Sequence, residues 1–137
     1  MRFLDANIFI RYLTRDDEEK AEACLALFDR LSRGEEEVLI SESVVAEVVF
    51  VLASRRTSYA MPALEINRRL GPLLALRGIR LANKRRCLRA LELYAERPFL
   101  GFEDALMLAH LGAEGLEEIY SYDEDFDRVP GLTRVEP

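Results

Sequence analysis

The chain has 137 residues, 50% hydrophobic and 32% charged, a balance that suits one globular domain able to bury a core. No apolar run approaches membrane-spanning length, and Asp5 stands where a signal peptide needs its apolar centre, so a cytoplasmic protein without a membrane segment is expected. The net charge of −6 argues against a nucleic-acid partner until its distribution is read: Arg55 to Arg89 holds ten basic residues and one acid, Glu65, while the remainder carries about −15.

In chain order, Phe3 and Leu4 read as a short buried strand that ends at Asp5. Ile8-Phe9-Ile10, with Tyr12 and Leu13 a turn later, continue as a helix. A carboxylate between two apolar runs is expensive to bury unpaired, and ligands of open α/β sheets collect beyond the carboxyl ends of strands. The competing reading is that Asp5 or Asn7 simply caps the helix. From Asp16 to Arg33, Ala21, Cys24, Leu25, Phe28 and Leu31 keep helical spacing, with acids at the start and Arg30 and Arg33 at the end, as the helix dipole favours. Val38-Leu39-Ile40 is a second strand. The run Ser43 to Ala53 is rich in β-branched residues but long for a strand, and with Ser41 or Ser43 as cap it reads as a helix in an alternating α/β pattern.

Pro62 to Ala75 reads as a helix with a bend near Gly71-Pro72, Ile79-Arg80-Leu81 as a third strand, and Lys84 to Arg97 as an amphipathic helix on Cys87, Leu88, Leu91 and Tyr94. Another helix runs from about Glu103 to Ala113. Glu118 to Ser121 reads as a strand, and Leu132 to Val135 as a last short one. The architecture predicted is α/β with a mainly parallel sheet between helices. Cys24 and Cys87 are too few and too far apart for a disulfide framework or zinc motif; both fall on apolar helix faces and read as buried small hydrophobes. His110 is the single histidine, which leaves histidine metal pairs and Ser–His or Cys–His relays poorly supported.

Four acidic positions stand out. Asp5 is the first. Glu47 interrupts the apolar run Val44 to Ala53 with no Lys or Arg within a turn, and in a helix that reads as buried nearly all round it is expected to be a functional acid rather than an edge residue. Asp104 opens a helix and shares its face with Leu108 and Leu111, although an acid in a first turn is stabilising by itself. The cluster Asp123-Glu124-Asp125-Phe126-Asp127 follows a strand. A calcium loop is excluded there, because Arg128 stands where Gly is needed and Arg134 where Glu is needed. Asp123 is the first choice for the site, Asp125 the second, and Asp127 reads as part of a solvated turn. Carboxylates gathered without histidine suit a hard cation such as Mg²⁺ or Mn²⁺, and such sites mostly serve phosphate chemistry.

The stretches Phe3-Leu4-Asp5-Ala6-Asn7, Ile40-Ser41 leading to Glu47-Val48, Glu103-Asp104-Ala105-Leu106 and Ser121-Tyr122-Asp123-Glu124-Asp125-Phe126 together resemble the PIN-domain ribonucleases, and closely the VapC toxins of prokaryotic toxin–antitoxin pairs. The resemblance implies a single PIN-like domain over residues 1–137, a three-layer αβα sandwich. It also implies a metal site of Asp5, Glu47, Asp104 and Asp123 supported by Asn7 and Ser121, homodimerisation, and inhibition by a small VapB-like antitoxin. The leading expectation is a Mg²⁺- or Mn²⁺-dependent endoribonuclease whose RNA backbone is held by Lys84, Arg85, Arg86 and Arg89, unless those residues are only a solvated face. The alternative is a PIN-fold binding module acting through a partner protein in transcriptional regulation. A phosphoryl-accepting α/β domain is disfavoured, since Lys20 and Lys84 give an acceptor aspartate no support.

Overall fold

A computed structural model describes residues Met1–Pro137. In chain order the elements are β1 (Arg2–Phe3), α1 (Ala6–Thr14), α2 (Glu18–Arg33), β2 (Val38–Ile40), α3 (Glu42–Ala53), α4 (Ala63–Leu74), β3 (Ile79–Leu81), α5 (Lys84–Glu96), α6 (Phe102–Ala113), β4 (Glu118–Tyr120) and β5 (Thr133–Val135). Two short 3₁₀ turns, Pro98–Leu100 and Glu124–Arg128, lie on either side of α6 and β4. Every strand pairing is parallel: β1 with β2, β2 with β3, and β4 with β5. This is the α/β architecture the alternating pattern predicts, with one difference. The strands form a three-stranded sheet in the order β1-β2-β3 and a separate β4-β5 pair. With two or three residues per strand, pairing contributes few hydrogen bonds, so helix packing decides where each strand lies. No helix is long and apolar enough to cross a membrane.

Helix α3 shows how the sequence builds the core. Val44, Val45, Val48, Val49 and Leu52 are all buried, and the helix packs on α1, α4 and α6. On α1, Phe9 meets Phe28 of α2 at 5.4 Å between ring centroids, and Tyr12 meets the same ring at 4.8 Å. The fully buried set is entirely hydrophobic, with no polar or charged residue in it. Cys24 and Cys87 are buried free thiols, and burial pushes the Cys87 thiol up to about 11, as expected for packing residues.

One expectation is corrected. Phe3 is not a buried strand residue: it is 58% exposed, and Leu4 just after the strand is the buried one. The reason is the face it lies on: Phe3 is in register with Leu39 and Arg80, which are exposed too, even though Leu39 lies on the central strand. Helix α4 begins at Ala63 and continues through Pro72 to Leu74; burial of Leu70, Leu73 and Leu74 holds the turn although Pro72 donates no hydrogen bond to it.

Gly78 marks the tightest approach in the fold. Its N–H donates to the Leu31 carbonyl at 2.9 Å and its carbonyl accepts from Val38 at 2.8 Å. A Cβ there would lie 2.2 Å from the Glu36 carbonyl oxygen and 2.9 Å from Leu31, so backbone itself would have to move. Gly78→Ala is expected to lower the urea midpoint by an amount worth about 2 kcal/mol or more, the scale of overpacking. Gly112→Ala, where a Cβ meets nothing within 4 Å, should show no such loss in the same melts.

Candidate active site

Asp5 occupies the turn between β1 and α1 in an extended conformation, so it caps the helix. Its Oδ1 accepts from the Ala6 N–H at 2.8 Å, and its Oδ2 accepts from Asn7 Nδ2 at 3.2 Å. Cap and candidate ligand are therefore the same residue, with an exposed carboxylate oriented by two neighbours. Ser41, not Ser43, is the cap residue of α3. Its Oγ accepts from the Val44 N–H at 3.4 Å and lies 2.7 Å from the Ser43 hydroxyl.

Glu47 is exposed, contrary to the expectation of a helix buried nearly all round. Ser43, Glu47 and Phe50 form one outward stripe of α3, and Phe50 is 73% exposed. The spacing i, i+4, i+7 of this stripe is present in the sequence, set among closely spaced valines. Desolvation therefore gives no reason to single out Glu47, and its standing rests on its place on α3, between α1 and α6.

Asp104 differs from the other acids. It lies in the first turn of α6 and is half-buried, after Gly101 at φ +78°. Desolvation raises its pKa above the ordinary aspartate value, and the charges of Asp123, Glu103 and Asp125 add to the rise, in that order. Asp123 and Asp125 belong to one turn. Asp123 caps it, accepting from the Asp125 N–H at 2.9 Å, while its own N–H donates to Ser121 Oγ at 3.0 Å. Phe126, buried against Leu100 and Leu108, anchors this turn to α6. Asp127 faces away: Arg134 donates to both of its oxygens, at 3.0 and 3.2 Å, and to the Ser121 carbonyl at 3.0 Å. That clamp was not anticipated from the sequence, since seven residues separate its partners across a turn.

The structure thus gathers Asp104, Asp123 and Asp125 in one electrostatic neighbourhood, with Ser121 behind them. Asp5 and Glu47 are not among the charges acting on Asp104. As the side chains stand, no three acidic, histidine or cysteine residues are close enough to hold one metal ion. The donor chemistry nonetheless suits a hard divalent cation, because every candidate offers carboxylate oxygen and none offers sulfur.

The basic residues divide. Arg86 donates to Glu114 at 2.7 Å and is 3.1 Å from His110 Nδ1; His110 Nε2 in turn lies 2.9 Å from Glu42. Arg89 faces Glu92 at 3.0 Å and Glu96 at 3.8 Å. Lys84 donates to the Leu76 carbonyl at 3.3 Å, and burial, with Arg80 nearby, lowers its pKa. Of Lys84, Arg85, Arg86 and Arg89, only Arg85 is left without a partner, and it is exposed. Arg55 and Arg56, just beyond α3, are likewise exposed and free of acidic partners.

The family model described as PIN domain matches residues 2–132. No curated protein matches the chain.

The raised pKa of Asp104 has a stability consequence. A carboxyl whose folded-state pKa lies above its unfolded value makes folding take up a proton, so its ionised form costs stability at neutral pH and that cost fades as pH falls. Metal-free Asp104→Asn is expected to have a higher urea midpoint than the parent at pH 7. The difference should shrink towards zero near about pH 4, the ordinary aspartate range. An Asn variant less stable at pH 7 would mean that first-turn helix-dipole stabilisation outweighs the crowding.

Proposed function

Because the chain belongs to the PIN domain family, generally a nuclease fold whose enzymes generally use divalent metals, we propose that it is a Mg²⁺- or Mn²⁺-dependent endoribonuclease and the toxin of a toxin–antitoxin pair. The observation that carries this reading is the PIN-domain match over residues 2–132; the half-buried Asp104, whose pKa burial raises first and the charges of Asp123, Glu103 and Asp125 raise further, is the local feature that fits it. A fold gains nothing in stability from crowding carboxylates, whereas a cation-binding site requires it. In this reading Asp5, Glu47, Asp104 and Asp123 hold the metal, with Asp125 as the alternative to Asp123. A cation held by these carboxylates would offset the repulsion between them. A bound divalent cation supplies an activated water and neutralises charge on the scissile phosphate. Asn7 orients Asp5 through its Nδ2, and the Ser121 hydroxyl holds the backbone of Asp123.

The choice of RNA, a small VapB-like antitoxin as inhibitor and a homodimer as the assembled form are proposals that rest on the resemblance of the acid-bearing stretches to VapC toxins. The acids do not converge on one point as they stand, and this favours a second reading, a PIN-fold binding module that works through its partner in transcriptional regulation.

Cleavage separates the two. The purified protein, free of any partner, should cut RNA with Mg²⁺ or Mn²⁺ and stop on addition of EDTA. Asp5→Asn and Asp104→Asn should each lose more than about 100-fold, the upper end for loss of an outer-shell metal partner, while His110→Ala should still cut. Cleavage that survives EDTA overturns the metal mechanism, and absence of cleavage under all these conditions supports the binding module.

Backbone affinity is assigned to the unpaired cations Arg55 and Arg56. Arg55→Ala and Arg56→Ala should each lower the slope of log binding constant against log salt by about one, as loss of a phosphate contact does. Arg89→Ala, which removes a cation already paired with acids, should change the slope less. An unchanged slope in the first two variants would place the backbone elsewhere.

A further inference from the structure

A cleft of about 430 Å³ opens between α5, α6 and the turn Val129–Leu132, within the size range of small-molecule sites. Its apolar wall includes Leu93, Leu108, Val129 and Leu132. It stays open because α6 presents Ala109, Gly112 and Ala113 to it, and a Cβ added at Gly112 would touch nothing within 4 Å.

Three arginines line the same cleft, Arg85, Arg86 and Arg89. Arg86 is taken by Glu114, and Arg89 by Glu92 and Glu96. Those three acids beside the arginines make the cleft unsuited to a polyanion such as an RNA backbone. What is left is one exposed, unpaired cation, Arg85, over an apolar hollow. We propose that this cleft binds a single-headed amphiphilic carboxylate, its apolar body against Leu93, Leu108, Val129 and Leu132 and its carboxylate on Arg85. The planar guanidinium matches a carboxylate with two parallel hydrogen bonds, and the wall removes the hydrocarbon from water.

The site has a connection to the acidic turn. Leu108 packs with Leu100 and Phe126, and Leu93, Val129 and Leu132 pack against the same small cluster. Phe126 is the anchor of the turn that Asp123 caps. A ligand lying on Leu108, Val129 and Leu132 therefore braces the segment that carries Asp123 and Asp125 through the Phe126 anchor.

Octanoate and 1-octanol, equal in apolar length and different in charge, test the site by calorimetric titration of the intact protein. Octanoate should bind at one saturable site about tenfold more tightly than the alcohol, the scale of a charge-assisted hydrogen bond, and should slow amide exchange at Phe126 and Val129. Arg85→Gln, at an exposed position that does not bear on folding, should bring octanoate down to the alcohol's affinity. Gly112→Leu, which fills the hollow, should weaken both ligands at least tenfold. Non-saturable uptake by the parent, full octanoate preference in Arg85→Gln, or unchanged binding in Gly112→Leu would each overturn the proposal. None of these readouts uses cleavage, so the ribonuclease reading stands or falls separately.

Discussion

The packing of α3 is the constraint on which the rest of the molecule depends. Strands of two or three residues cannot position anything by themselves, and the buried set contains no polar network that could do so. Five buried aliphatic residues on α3 instead press against α1, α4 and α6. Those contacts fix the elements that carry Asp5 and Asp104 relative to the one that carries Glu47. The polar pair Glu42 and His110, 2.9 Å apart, adds a link between the start of α3 and the last turn of α6, at the edge of the same interface.

Against that rigid apolar frame the acidic turn is held more lightly. Its anchor is the small cluster of Leu100, Leu108 and Phe126, separate from the main core. Local bonds from Ser121 and within the turn set its shape, and Arg134 draws Asp127 away. A segment attached through few apolar contacts is the kind that shifts on binding. This is consistent with a site whose carboxylates repel one another without a cation and draw together with one.

Charge is organised by pairing rather than by region. The basic middle of the sequence has a large positive sum, yet Arg80, Arg86 and Arg89 are each met by an acid from elsewhere in the chain or from their own helix. Exposed pairs of this kind contribute little stability. Their effect is to neutralise, so that only a few cations are left unpaired, Arg55, Arg56 and Arg85 among them, on a chain whose net charge is −6.

The sequence by itself determined the elements and their order. Helical periodicity placed α1, α2, α5 and α6, a cap at Ser41 or Ser43 made α3 a helix against its β-branched content, and the alternation of strands with helices indicated parallel pairing. It also singled out Asp104 and the Asp123 turn, because an acid at a helix start or just after a strand is visible in one dimension. What only the tertiary structure decided is everything that depends on which faces meet. Phe3 is exposed because it shares an uncovered row of the sheet with Leu39 and Arg80, and Glu47 is exposed because α3 keeps one stripe uncovered. Arg86 is occupied because Glu114, 28 residues away in sequence, reaches it. Spacing along a chain reports the neighbours of a residue on its own element, whereas burial, pairing and the availability of a charge depend on the elements packed against it.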